Sequence, residues 1–192
     1  MVLPYSGAIS LNQIHVEAGG TSGTQVSVND TDVRAMLLKS SGAQMSFNDW
    51  YGYNRFVLTQ GSMGGQYTTT YGYKSGTHGS LDNADFYNSS NTLRTVTGIY
   101  RLTASAGTFF YLEMSHSTAN SIPANEFTRL VFNTGGNGLV SVTAAESSST
   151  SIAGGYQRRW MWSGSYGLSS SEYSSLNAAF DGSGTIYVDI EG

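Results

Sequence analysis

The chain contains no cysteine, which removes disulfide scaffolds, thiol nucleophiles and thiolate metal sites together. It also has little charge. Asp, Glu, Lys and Arg make up 11% of its 192 residues, against about 25% in an average soluble domain. A neutral exterior rich in Gly, Ser, Thr, Asn and Tyr stays dispersed poorly on its own, so much of the surface is expected to be covered by other subunits. A secreted β domain with a Ser/Thr/Asn-rich surface is the plainer alternative. Net charge is -4 and the basic residues are scattered, Arg158-Arg159 being the one adjacent pair, which leaves no electrostatic footprint for nucleic acid. The first residues lack a basic and then apolar leader. No stretch approaches the roughly 20 apolar residues of a membrane span, so neither signal-peptide export nor membrane insertion is expected.

Catalytic and metal-binding patterns are also missing. His15, His78 and His116 stand far apart, and no H-E-x-x-H occurs. Gly164-Ser165-Tyr166-Gly167 lacks the strand-to-helix setting of a nucleophile elbow. Asp82 with Asp85 and Asp189 with Glu191 read as loop caps and a chain end, not as a glycosidase pair. An Asp-containing turn such as Asp181-Gly182-Ser183-Gly184 is a weak candidate for Ca²⁺. The chain is therefore expected to be non-catalytic, with no cofactor.

What is present begins with a weak internal repeat: Ile9-Ser10-Leu11-Asn12, Val26-Ser27-Val28-Asn29-Asp30 and Met45-Ser46-Phe47-Asn48-Asp49. Each Ser can accept from a first-turn amide while the side chain three residues on (Gln13, Asp30, Asp49) reaches back, predicting three short helix starts. In the second copy Asn29 with Asp32 serves equally well. The first helix, about residues 11–18, is expected to bury Leu11, Ile14 and Ala18 and to end at Gly19-Gly20. The second, about 30–38, presents Val33, Met36 and Leu37. Helices this short need packing partners, either each other, Trp50 and Tyr51, or a neighbouring chain. Arg34 reads as a docking contact or as an intrahelical partner of Asp30. Trp50 and Tyr51 read as a grip on a partner or as the aromatic plug of a small core.

These blocks carry a resemblance. The runs over residues 6–14 (Ser-Gly-Ala-Ile-Ser-Leu-Asn-Gln-Ile), 26–34 (Val-Ser-Val-Asn-Asp-Thr-Asp-Val-Arg) and 41–52 (Ser-Gly-Ala-Gln-Met-Ser-Phe-Asn-Asp-Trp-Tyr-Gly) resemble an N-terminal segment recurrent in phage tail-fibre and other virion proteins. The chain departs from that pattern at Gln44-Met45 and at Met36, without loss of a cap or an apolar anchor. The resemblance implies an attachment module over residues 1–53, with Ile9, Leu11, Ile14, Val33, Arg34, Met36, Leu37, Phe47, Trp50 and Tyr51 as docking or interface residues. It also implies a location in the virion, other virion proteins as partners, and homo-oligomers, with trimers suited to a fibre-like appendage. Tail fibre, tail tip, baseplate and capsid decoration are the positions it allows.

From residue 54 the apolar period becomes two, over residues 56–58, 95–102, 108–114, 127–132, 139–142, 156–162 and 185–190. Short alternating strands with Gly/Ser/Asn turns predict an antiparallel β-sandwich, jelly-roll-like, over residues 94–192. Residues 54–93 are expected to form a linker, an extended arm or edge hairpins, and residues 171–180 a helical turn. Residues 126–132, Trp160-Met161-Trp162 and residues 185–190 resemble strands of domains that follow the same module in phage proteins. Trp160 and Trp162, two apart and so on one face, form either a stacking platform for host surface glycan or part of a core or subunit interface.

Overall fold

The computed structural model describes Leu3 and residues 7–37, 39–51, 53–65, 68–82, 84–87, 93–116, 122, 126–127, 129–133, 139–143, 146–152 and 155–191. Two of the repeated Ser blocks make the reciprocal cap, and the middle one closes a turn. Ahead of α1 (Leu11–Glu17), the Gln13 amide donates to Ser10 Oγ and the Ser10 amide to Gln13 Oε1, at 3.2 and 2.7 Å. Ahead of the 3-10 helix Phe47–Trp50, the Ser46 amide donates to Asp49 Oδ2 at 3.0 Å. In the middle copy the Ser27 amide donates to Asp30 Oδ2 at 2.8 Å, which shapes the turn that leads into α2 (Thr31–Met36). These short elements hold together by burying Leu3, Ile14, Val33, Met36, Leu37 and Trp50 in a small core of their own.

His15 links the parts of this module. The Thr24 hydroxyl donates to Thr21 O at 2.7 Å, so its oxygen accepts from His15 Nε2 at 2.9 Å. Nε2 is thus a donor, and Nδ1 lies 3.7 Å from Asp32 Oδ2 of α2. A Cβ on Gly20 would lie 2.1 Å from His15 Cε1, so only glycine lets the chain turn back over the ring.

The rest of the chain forms two antiparallel sheets. The strands are β1 (Tyr53–Thr59), β2 (Gly61–Gly64), β3 (Thr68–Lys74), β4 (Ser80–Leu81), β5 (Asp85–Tyr87), β6 (Leu93–Ala104), β7 (Gly107–His116), β8 (Arg129–Asn133), β9 (Leu139–Thr143), β10 (Glu146–Ile152), β11 (Gly155–Ser163) and β12 (Thr185–Glu191). One sheet has the order β4-β1-β12-β8-β9. The other runs β10-β11-β7-β6-β3-β2, with β5 also paired to β6. Alternation sends Phe56, Leu58, Leu130, Phe132, Val140, Val142, Ile186, Val188 and Ile190 inward from the first sheet, and Val96, Ile99, Phe110, Leu112, Met114, Trp160 and Trp162 from the second. The mainly β, sandwich-type fold expected from the alternation is the fold found.

Two boundaries differ from expectation. Residues 53–87, expected as a linker, arm or edge hairpins, supply β1 to β5. Of these, β1 lies inside the first sheet between β4 and β12, and β2–β3 form the one edge hairpin. Residues 170–179 form a ten-residue helix, α3 (Ser170–Ala179), with a Ser169/Glu172 capping box, and Leu176 with Phe180 closes one end of the core.

Candidate functional site

Of the module's apolar residues, which the resemblance gives as docking residues, most pack on each other and on Trp50, one of the arrangements expected of such short helices. Ile14, Val33, Met36 and Trp50 are at most 1% exposed, Leu37 is buried, and Ile9 and Leu11 are partly covered. Arg34 neither docks outward nor has Asp30 as its partner. It is buried and donates to Ser40 O and Ala43 O at 2.9 to 3.1 Å, which pins the loop between α2 and the 3-10 helix. Asp30 is engaged by Ser27. Tyr51 Oη donates to Gly7 O, joining the two ends of the module. Phe47 remains open, 45% exposed beside the buried Trp50 ring.

The module is fastened to the sandwich at the outer edge of β1. There the Arg55 amide donates to Glu17 Oε1 at 2.9 Å and the Val57 amide to Asp82 Oδ1 at 2.7 Å, so two carboxyls satisfy an edge that β4 covers only at Leu58 and Thr59. Beside it, the Arg55 guanidinium forms a two-pronged pair with Asp189 of β12, at 2.7 and 3.0 Å. Burial pushes the Glu17 carboxyl up from 4.5 to about 7, against the lowering effect of the Arg55 amide. The folded state then holds a proton that the unfolded chain releases near 4.5, so stability falls as pH rises between about 4.5 and 7. Burial of Asp189 acts with the same sign, outweighing Arg55. At about 1.4 kcal/mol per pH unit, the Glu17 window amounts to about 3 kcal/mol. Thermal melts should show a midpoint that drops from pH 4.5 to 7.5, and Glu17→Gln should flatten that slope. A parallel slope in the variant would rule Glu17 out as its source.

Trp160 and Trp162 do not form an exposed platform. Their rings are 0 and 1% exposed, Phe127 packs on Trp160 at 5.1 Å, and Trp162 Nε1 donates to Thr143 O at 2.9 Å across to the opposite sheet. Their shared face is the inner one because β11 pairs with β7 in the register that aligns Trp160 with Leu112 and Trp162 with Phe110.

The outer face of the same sheet carries an arrangement that the sequence did not reveal. Register sets Lys74, Gly98, Glu113 and Arg159 in one row across β3, β6, β7 and β11. The next row holds Gly72, Tyr100, Tyr111 and Met161, and the one beyond it Thr70, Leu102, Phe109 and Ser163. Glu113 is fully buried although it points away from the core. It accepts from Tyr100 Oη at 2.7 Å, Arg159 Nε at 2.7 Å and Gln157 Nε2 at 3.3 Å, with Lys74 Nζ at 3.9 Å. Lys74 lies over the Tyr100 ring and Arg159 over Tyr111, and the two tyrosine rings are 5.2 Å apart. Gly98 makes room for this: a Cβ there would lie 3.0 Å from both Glu113 Oε2 and the Tyr100 ring. Burial and the neighbouring carboxylate push the Tyr100 hydroxyl well above its ordinary range, so it stays a donor.

Four residues along β7 and β11 from this cluster, at the end near α3, lies a shallow recess of about 170 Å³ lined by Gly107, Phe109, Ser163, Ser165 and Tyr173 among others. Among the described residues, no three His, Asp or Glu side chains are grouped to hold a metal ion. At the candidate Ca²⁺ turn, Asp181 Oδ1 accepts from the Ser183 amide and hydroxyl at 2.8 and 2.9 Å, and these bonds hold its carboxyl below the usual range. No helix among the described residues is long and apolar enough to cross a membrane. Compared with protein-family models, curated proteins and solved structures, the chain matches none of them.

Proposed function

We propose that the chain is a non-catalytic structural component of a tailed-phage particle, a tail-fibre, tail-tip or baseplate appendage protein that docks through residues 1–53. The observation that carries this reading is that the three N-terminal blocks, the part that resembles virion attachment segments, fold as one unit around their own apolar core, separate from that of the sandwich. A segment that served only to complete the β fold would have no need of a second core. Its exposed anchor is Phe47. The sandwich supplies contacts to further copies of the chain, for which Tyr187 and Leu139, 41 and 55% exposed in one cross-strand row of the first sheet, offer an apolar pair beside the separately exposed Met63, Leu93 and Tyr166.

Truncating the whole module would also strip Glu17 from the β1 edge, so a point substitution separates docking from folding. Phe47→Asp should leave the melting midpoint within about 2 °C, as exposed positions usually do. It should also cut incorporation into particles at least severalfold, read by quantitative blotting of purified virions. Wild-type incorporation of a normally folded Phe47→Asp chain would contradict docking through this face.

A further inference from the structure

The geometry points to the outer face of β3, β6, β7 and β11 as a binding strip for an acidic oligosaccharide, with the anionic group of one sugar at Lys74 and Arg159 and a sugar further along the same oligosaccharide in the recess beside Phe109 and Tyr173. Charge is the first argument. Two cations meet a single carboxylate here, and the carboxylate is the buried member: Glu113 side-chain exposure is 1%, against 36 and 41% for Lys74 and Arg159. Within this cluster solvent therefore meets the two cations, while Glu146 of β10 stands beside Met161 in the adjoining row. Glu113 and the rings of Tyr100 and Tyr111 hold the two cations in place, which lowers the ordering cost of engaging an anion. In a chain with nine basic residues, the buried Arg34, Arg55 and Arg94 are turned inward, onto carbonyls, Asp189 and Glu126.

The second argument is the recess. Its walls pair the Phe109 and Tyr173 rings with the hydroxyls of Ser163 and Ser165, and carry no charge. A pyranose ring, with apolar C–H faces and a rim of hydroxyls, matches that combination better than an acidic peptide would. The spacing is the third argument. Phe109 and Ser163 of the recess lie on the same face as Glu113 and Arg159, about 14 Å away at strand rise, and Tyr173, packed on Phe110, closes the recess at the end of the sheet. Tyr111 and Met161 lie between them, so the strip has the length of a short oligosaccharide. Arg159 and Lys74 act as binding residues and Glu113 as a positioning residue. This assignment stands whether or not the chain belongs to a phage particle.

The test is calorimetric titration of the full chain with trigalacturonate and with an α2,8-linked sialic acid trimer, beside the uncharged methyl esters of both and a tri-aspartate peptide. At least one acid trimer should bind about tenfold or more tightly than its ester, and less tightly at high salt. Lys74→Gln, at a half-exposed position, should keep the wild-type melting midpoint and lose most of that preference. Ser165→Trp, which fills the recess, should weaken acid and ester alike. Failure of both acid trimers to bind at millimolar concentration would overturn the assignment. So would equal binding of acid and ester, full binding by Lys74→Gln, or tri-aspartate binding as tightly as the trimers.

Discussion

Trp160→Ala should destabilise the fold by about 3–5 kcal/mol, the range for truncating a fully packed Trp. The ring is 0% exposed, meets Phe127 edge-on at 5.1 Å, and sits on β11, which is flanked by β10 and β7. Removing it opens a cavity that the flanking strands cannot close without breaking their ladders. Since domains of this size are stable by about 5–15 kcal/mol, the loss is a large share of the total. Urea unfolding followed by tryptophan fluorescence at the remaining rings measures it. A loss below about 1 kcal/mol would place the ring at a surface, as the stacking-platform reading required.

The second large effect belongs to Glu113. Glu113→Ala removes the acceptor of Tyr100 Oη, Arg159 Nε and Gln157 Nε2 at once, and leaves the Tyr100 hydroxyl, in a side chain 2% exposed, without its partner. Breaking a buried ion pair from one side costs about 3–5 kcal/mol; because Arg159 can turn to solvent, the lower end is expected here, about 3 kcal/mol. Glu113→Gln keeps one oxygen acceptor and should cost less. If Glu113→Ala and Glu113→Gln were equally mild, the cluster would not be acting as a satisfied network.

Local signals in the sequence are legible where they act within a few residues. The Ser10/Gln13 and Ser46/Asp49 caps depend on a four-residue span and appear as expected. The strands with clear alternation, such as β6, β7 and β12, were equally legible. β2 and β10 were not: Gly61-Ser62-Met63-Gly64 and Glu146-Ser147-Ser148-Ser149-Thr150-Ser151-Ile152 have little apolar alternation and become strands through pairing with β3 and β11. Period two put Trp160 and Trp162 on one face without saying which, because the choice is made by register against Phe110 and Leu112. The apolar residues of the module were recognised as a set, but burial inward and docking outward give the same pattern in a short helix. Phe47 differs from Trp50 by its place on the 3-10 helix, not by its chemistry. The Glu113 cluster lay furthest from view. Its partners come from positions 74, 100, 157 and 159, brought into line by three strand pairings. The local hints were a lone acid in the apolar run Phe109-Phe110-Tyr111-Leu112-Glu113-Met114 and a glycine inside β6.

Immunogold labelling of purified particles with an antibody raised against the sandwich tests the central claim most directly. The proposed role predicts label on the tail, at its fibres, tip or baseplate. Particles that carry no label, while the lysate that produced them contains the protein, would contradict it.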